Sequence, residues 1–134
     1  MSRALGDAGL ALKQIDYINA HATGTQLNDG NETAAIKEVF GAHAWKIPVV
    51  GSKAGLGHSI VARGALELIG CIPSIRDQAV PPTINYTVPD PQCDLDYVTE
   101  GKRRHKSEYI LSNSFAFGGS NASLIVGNYE PAPA

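Results

Sequence analysis

Two strand-loop-helix units follow one another in this sequence, and their order constrains the fold more than any other feature. In the first unit, residues 15–20 have the composition of a buried strand, residues 21–30 contain a polar turn, and residues 31–40 carry apolar side chains at helical spacing. In the second, a strand at residues 47–52 precedes a glycine-bearing loop and an apolar helix. This succession predicts an α/β fold in which polar loops leave a sheet at its strand ends.

The ends of the predicted helices are marked by glycine, serine and proline. A short first helix is expected to end at Gly9, and Gly41 is expected to end the helix at residues 31–40. Ser59 is a candidate cap for the helix of the second unit, whose apolar positions nearly encircle it and therefore predict burial. Pro73 is expected to kink or end that helix.

The last part of the sequence predicts a hairpin. Residues 109–115 and 122–126 are strand candidates, and the glycine-rich residues 117–121 between them favour an antiparallel pair. The prolines within residues 81–91 indicate an extended, turn-rich excursion before this hairpin. Together with the two units, the pattern predicts a mixed sheet flanked by helices.

Length and composition predict one domain and exclude several functions. The 134 residues, 43% of them hydrophobic, are enough for one core but too few for two ordinary domains, so we expect a single domain over residues 1–134. A formal charge of -2 disfavours nucleic-acid binding, which needs a basic face. No stretch approaches the roughly 20 apolar residues of a membrane span, and we expect a soluble, cytoplasmic protein.

Two histidines and a lysine are the strongest candidates for chemistry. His21 follows the first strand, His58 lies in the loop after the second, and Lys53 precedes His58 by five residues. Each alone has an ordinary explanation as a solvated or capping residue. Because the two histidines occupy equivalent positions in successive units, their side chains are expected to converge on one pocket at the same edge of the sheet.

Two carboxylates near the first helix have two possible roles. Asp29 and Glu32 first indicate a helix start, with Asp29 as N-cap and Glu32 as its capping-box partner. If Lys53 lies beside them, they would instead hold its ammonium group, together with Glu67 of the second helix.

Two further groups can contact a ligand. The hydroxyls of Thr23 and Thr25 suit either a turn or hydrogen bonds to an amide-bearing ligand, and the sequence leaves both interpretations open. In Phe117-Gly118-Gly119, the glycines allow a close approach of the backbone, whose N–H groups can stabilise an oxyanion.

The cysteines and the candidate ligands do not predict a metal site. Cys71 and Cys93 are far apart and form no CxxC pair, so neither a disulfide framework nor a zinc site is indicated. The histidines and carboxylates named above are suitable residue types but lack HxxxH or HxH spacing.

Taken in order, the motifs resemble the C-terminal half of β-ketoacyl-[acyl-carrier-protein] synthases, which serve fatty-acid and polyketide biosynthesis. The likeness extends from about Leu5 to Val126. The motifs are His21-Ala22-Thr23-Gly24-Thr25 with Asp29 and Glu32, Ser52-Lys53 with Gly57-His58, Gln78-Ala79-Val80-Pro81-Pro82-Thr83-Ile84-Asn85, and Asn113-Ser114-Phe115-Ala116-Phe117-Gly118-Gly119-Ser120-Asn121.

This resemblance implies the C-terminal half of a thiolase-like fold and a decarboxylative Claisen condensation of an acyl thioester with malonyl on acyl carrier protein. By position, His21 and His58 match imidazoles that donate N–H bonds to the thioester oxygen as charge develops. Lys53 matches the lysine that orients the site and holds the second histidine neutral. Phe117 matches a gating aromatic whose backbone N–H helps to form the oxyanion hole.

The resemblance also implies supporting residues, substrates and partners. The remaining matches are acidic neighbours of the lysine at Asp29, Glu32 and Glu67, phosphopantetheine contacts at Thr23 and Thr25, and substrate contacts at Gly118 and Gly119. No cofactor is implied, because phosphopantetheine of acyl carrier protein carries the substrates. Partners are that carrier protein, the N-terminal half with the nucleophilic cysteine, and a second copy in the dimeric enzyme.

The sequence departs from the family at several positions, which leaves three interpretations open. Neither Cys71 nor Cys93 follows the glycine-rich turn of the family nucleophile, so this chain alone is expected to be inactive and to complete its site with another segment. Ala22, Leu56 and Ala116 replace the usual residues, which also suits a non-catalytic carrier-protein-binding or chain-length-setting partner. An inert, truncated product would expose the surface that its other half covers.

Overall fold

The computed structural model describes residues 1–129, whereas the predicted domain of residues 1–134 extends beyond them. The helices are α1 (Ser2–Ala8), α2 (Gln26–Phe40), α3 (Lys53–Leu56) and α4 (Arg63–Asp77). The strands are β1 (Tyr17–Asn19), β2 (Val49–Val50), β3 (Ala79–Val80), β4 (Arg103–Arg104), β5 (Tyr109–Phe115) and β6 (Asn121–Gly127).

The main sheet is mixed and has the strand order β2-β1-β5-β6. Strand β1 runs parallel to both neighbours, with Ile18 opposite Val49 and Leu111. Strands β5 and β6 form the predicted antiparallel hairpin, with Ser112 opposite Leu124. The parallel pairs place the C-terminal ends of β1, β2 and β5 at one edge of the sheet, where the candidate loops begin.

Alternation along the strands builds one core on each face of the sheet. Ile18 and Leu111 pack in one cluster with Phe40 of α2, whereas Tyr17 and Ile110 pack in the other cluster, which contains Cys71 of α4. Successive strand residues face opposite sides, so the two-residue period assigns each helix to its own face. The predicted sheet with flanking helices is confirmed.

Helix α2 begins earlier than predicted. Its N-cap is Thr25, whose extended backbone lets the side-chain oxygen accept the N–H of Asn28 at 3.2 Å. The prediction of Asp29 as N-cap was wrong, because Asp29 already lies in the first turn of the helix. The predicted stop at Gly41 is confirmed, and this residue has a positive φ of 54°.

Helix α4 differs from its prediction at both ends. Residues Ile60–Ala62 form a 3-10 turn, so the α-helix begins at Arg63 and the predicted Ser59 cap was wrong. The helix continues through Pro73 to Asp77. Pro73 has no N–H to donate to the carbonyl of Ile69, and it lies on the exposed side of the helix.

The predicted burial of α4 was also wrong. The buried side of the helix carries Arg63, Glu67, Cys71 and Ser74. Its apolar side and the preceding turn are exposed, namely Ile60 (78%), Val61 (95%), Leu66 (42%), Ile69 (61%) and Ile72 (54%). An apolar patch of this extent is typical of a surface that another protein segment covers. No helix within residues 1–129 is both long enough and apolar enough to cross a membrane.

Candidate active site

The two candidate histidines lie side by side. His21 follows β1 and is 7% exposed, while His58 follows α3 and is exposed. Their ring centroids are 5.7 Å apart and the ring planes meet at 88°, which is an edge-to-face contact. The predicted convergence of these two imidazoles in space is therefore present in the structure.

His21 lies in an enclosed environment that favours its neutral form. Its ring is 5.6 Å from that of Phe115, and within residues 1–129 its buried Nδ1 has no hydrogen-bond partner. Burial lowers the pKa of His21, and the cations of Lys53 and Arg63 lower it further. The carboxylate of Glu67 opposes this shift, whereas the neighbouring His58 adds to it.

We expect His21 to titrate below 6.5, its ordinary pKa, in an NMR measurement of the imidazole protons. Removing the nearby cation by Lys53→Met should raise the pKa of His21, because the positive charge disfavours imidazolium. Lys13→Met, which changes an exposed lysine, is the control and should leave the titration unchanged. A midpoint at or above 6.5 in the unaltered chain would contradict the expectation.

A hydrogen bond selects the tautomer of His58. Its Nδ1 accepts the backbone N–H of Ile60 at 3.1 Å, and Ile60 has a positive φ of 48°. When Nδ1 of a neutral imidazole accepts, the proton resides on Nε2. His58 therefore presents an N–H donor from its exposed ring.

Lys53 is buried and paired with Glu67. The Lys53 Nζ lies 2.5 Å from Glu67 Oε1, and the two residues are 7% and 1% exposed. Burial lowers the pKa of Lys53, while its hydrogen bond and charge attraction to Glu67 raise it. Of the three predicted acidic neighbours, Glu67 is the one that forms an ion pair with Lys53.

Arg63 joins the same ion pair, and the sequence interpretation did not assign it to the site. Its Nε donates to Glu67 Oε1 at 2.9 Å, and the residue is only 2% exposed. A signal was available, because Arg63 precedes Glu67 by four residues in a mostly apolar stretch of the helix, and such pairs share a helix face.

Glu32 holds the backbone that leads into the site rather than the lysine. Its carboxylate accepts the N–H of His21 at 2.8 Å and that of Ala22 at 2.9 Å. The Asn113 side chain donates a third hydrogen bond at 3.1 Å. Burial raises the pKa of Glu32, and these hydrogen bonds oppose the shift. They also hold Ala22, one of the departures from the family, at a strained φ of 39°.

Asp29 and the threonines form a polar turn beside the site. Asp29 Oδ1 accepts the N–H of Gly24 at 3.2 Å, so it stabilises the turn after β1. The hydroxyl oxygens of Thr23 and Thr25 are 3.2 Å apart. Since the Thr25 oxygen also caps α2, local structure accounts for part of its hydrogen bonding and the phosphopantetheine contact stays a prediction.

The residues Phe117–Gly119 form the exposed turn between β5 and β6. The Phe117 side chain is fully exposed, and Gly118 and Gly119 have positive φ values of 76° and 81°. The aromatic ring that contacts His21 belongs instead to Phe115. Strand pairing could have indicated this residue, because β5 runs parallel to β1 and both end beside His21. The gating and oxyanion roles of Phe117 stay predictions.

Cys71 offers no activated thiol at this site. Cys71 is fully buried, and burial together with the charge of Glu67 raises the pKa of its thiol to about 12. Cys93 is a free cysteine in the proline-rich segment. Among residues 1–129, no three histidine, cysteine or carboxylate side chains form a group that could hold a metal ion.

Comparison with known proteins identifies the family. The family described as "Beta-ketoacyl synthase, C-terminal domain" matches residues 1–87, which is more than half of the chain. The chain belongs to this family. The predicted resemblance is thereby confirmed, and the matched range includes both histidine loops and Lys53.

Individual relatives match nearly the whole chain. Nodulation protein E of Rhizobium meliloti is 49% identical over 92% of this chain and 31% of its own length. The 3-oxoacyl-[acyl-carrier-protein] synthase 2 of Coxiella burnetii is 47% identical over 94% of this chain and 30% of its own length.

A solved ketosynthase confirms the thiolase-like fold class. This type II polyketide ketosynthase, solved in complex with its acyl carrier protein and bound to the hexaketide, superimposes with a TM-score of 0.93 at 36% identity. The match covers 96% of this chain and 32% of that ketosynthase. The chain thus spans about a third of the length of these relatives.

Proposed function

We propose that this chain supplies the two histidines and the lysine of a β-ketoacyl-acyl-carrier-protein synthase site, which a cysteine from another polypeptide segment completes. The observation that carries the proposal is the 5.7 Å contact between the rings of His21 and His58. The ion pair of Lys53 with Glu67 beside them supports it, as does the family membership.

The environments of the two histidines suit a decarboxylative condensation. Malonyl thioester loses carbon dioxide, and the electron pair of the broken carbon–carbon bond moves to the thioester oxygen as an enolate. Neutral imidazoles donate N–H bonds to this oxygen and so stabilise its charge. His21 stays neutral because its pKa is lowered, and His58 offers the proton on Nε2.

The condensation then needs an acyl thioester on a cysteine. The enolate carbon attacks the acyl carbonyl, the new carbon–carbon bond forms, and the cysteine thiolate leaves. Cys71 is unsuitable as this nucleophile, because it is buried and its pKa is raised to about 12. We therefore assign the nucleophile to another segment, so that the chain by itself is inactive in the full cycle.

The exposed apolar side of α4 supports such an assembly. Ile69 is 61% exposed on the helix that carries Glu67, and Val61 is 95% exposed in the turn that precedes this helix. Covering these side chains would stabilise the complex by about 25 cal/mol for each Å² of apolar surface buried. The cysteine-bearing N-terminal half, and a second copy in the complete enzyme, are the partners that we assign to the assembly.

Acyl carrier protein is the proposed source of both substrates. Its phosphopantetheine arm would reach the histidines past Thr23 and Thr25, which lie in the turn after His21. Gly118 and Gly119 would border the substrate, with the backbone N–H of Phe117 at the oxyanion. The reaction balances without a further cofactor, because the loss of carbon dioxide generates the nucleophilic carbon.

A chimera tests the proposal directly. This chain replaces the matching portion of the Coxiella burnetii relative, and the release of carbon dioxide from malonyl-acyl carrier protein is measured. We expect release in the chimera, and a fall of about 10²-fold or more in His21→Ala and in His58→Ala. His43→Ala, a half-buried histidine in the Gly41–Lys46 turn, is the control and should retain the rate.

The outcomes separate the competing interpretations. Undiminished release in both histidine variants would overturn the proposal. Binding of acyl carrier protein by a folded chimera that releases no carbon dioxide would favour the non-catalytic, chain-length-setting partner. A chimera that neither binds the carrier protein nor releases carbon dioxide would favour an inert product.

A further inference from the structure

Arg63 connects three separate parts of the site through one guanidinium group. Its Nε donates to Glu67 Oε1 at 2.9 Å, its Nη1 to the carbonyl of Gly57 at 2.9 Å, and its Nη2 to the hydroxyl of Ser52 at 2.6 Å. The residue is 2% exposed, and its bond to Glu67 is buried, whereas its bonds to Gly57 and Ser52 are partly buried.

The two partners outside α4 lie at the ends of the segment that carries Lys53 and His58. Ser52 immediately precedes Lys53, and Gly57 immediately precedes His58. We propose that Arg63 is a positioning residue that fixes both ends of residues 52–58 to α4 and thereby sets where Lys53 and His58 lie. Its importance for turnover rests on the proposed function, whereas the positioning itself does not.

Residues 52–58 have few other restraints. Helix α3 is a single turn of four residues, and so short a helix is not stable by itself. Leu56 is 66% exposed and contributes little burial. Outside α3 itself, the other contacts are the Lys53 ion pair and a hydrogen bond from Asn85 to the carbonyl of Ala54 at 2.9 Å. At the end of the segment, His58 contacts the ring of His21 and accepts the N–H of Ile60.

The contacts require the shape of arginine as well as its charge. A guanidinium presents donors in a fixed planar fork and can serve three acceptors in different directions. A lysine ammonium is a compact charge on a flexible stem, so it can neutralise Glu67 without also reaching Ser52 and Gly57. Substitution of Arg63 by lysine therefore keeps the positive charge but removes the hydrogen bonds to Ser52 and Gly57.

Arg63 also acts on the electrostatics of the histidine pair. It shares Glu67 Oε1 with Lys53, so two cations face one carboxylate. The charged and titratable groups around His21 are Lys53, Glu67, His58, Arg63 and Glu32, whose carboxylate accepts the His21 backbone N–H. Arg63 is one of the groups that lower the pKa of His21. Removing the charge of Arg63 should therefore make His21 easier to protonate.

Two variants of the full chain test the proposal without substrate. Arg63→Lys keeps the positive charge, and Arg63→Met removes it. The control is Arg76→Met, which changes an exposed arginine of the same helix. We expect amide hydrogen exchange of residues 53–58 to become about tenfold faster in both Arg63 variants and to be unchanged in the control. His21 should titrate at a higher pH in Arg63→Met alone.

Hydrogen exchange tests the positioning role of Arg63, and the His21 titration tests its effect on the pKa of His21. Unaltered exchange at residues 53–58 in the folded Arg63→Lys chain would overturn the proposal, even if Arg63→Met failed to fold. An unchanged His21 titration in a folded Arg63→Met chain would overturn the electrostatic part. Neither measurement depends on turnover, so failure of the proposed ketosynthase activity would leave both results interpretable.

Discussion

Glu67→Ala is expected to lower the free energy of unfolding by about 4 kcal/mol, the range found when one partner of a buried ion pair is removed. The substitution leaves Lys53 and Arg63, which are 7% and 2% exposed, as buried cations without their carboxylate. Urea unfolding followed by circular dichroism measures the loss.

The pH dependence of this variant has a definite sign. Burial already lowers the pKa of Lys53, and Glu67 opposes that shift, so removal of Glu67 lowers the pKa further. Between this folded-state pKa and 10.5, the unfolded chain holds a proton that the folded chain has lost. Stability of Glu67→Ala should therefore recover as the pH rises through this window.

A matched exposed pair provides the control. Glu108 is paired with Lys106 at the surface, with side chains that are 54% and 76% exposed. Glu108→Ala should change the free energy of unfolding by less than about 1 kcal/mol, because water screens such pairs. An equally small loss in Glu67→Ala would contradict our view of the buried network.

Glu32→Ala is expected to cost about 3 kcal/mol, because it leaves several buried donors without an acceptor. The donors are the N–H groups of His21 and Ala22 and the amide of Asn113, which is 0% exposed. Loss of these bonds also frees the strained peptide that leads from His21 into the loop. The same urea titration measures the effect.

Glu32→Gln separates hydrogen bonding from charge. Its side-chain oxygen can still accept, so we expect a smaller loss than in the alanine variant. Because burial raises the pKa of Glu32, the folded chain binds this proton more tightly than the unfolded chain. This group therefore destabilises the fold as the pH rises above 4.5, and Glu32→Gln should remove that dependence.

The exposed Glu38 of the same helix is the control for Glu32. Glu38→Ala should change the free energy of unfolding by no more than about 0.5 kcal/mol. If the alanine variants at positions 32 and 38 behaved alike, the hydrogen bonds to the His21 peptide would not have the importance that we assign to them.

The four strands of the main sheet and their order along the chain could be predicted because they depend on short-range patterns. The apolar run around Ile18 and the glycine-rich turn after Phe115 have local signatures, and both strands lie where they were expected. The placement of His21 and His58 together followed from equivalent positions in two consecutive units. The start of α2 was missed because Thr25 and Asp29 are both acceptable caps, and only the backbone decides between them.

The sequence by itself determined the α/β class, the mixed sheet and the loops that carry the candidate residues, since periodicity and turn chemistry act over a few neighbours. Only the tertiary structure decided which charges meet. It assigned Lys53 and Arg63 to Glu67, and Glu32 to the His21 peptide. Such pairing depends on side chains that converge from different elements of the fold. A buried charge left without a partner would lose its hydration and raise the free energy of the folded state.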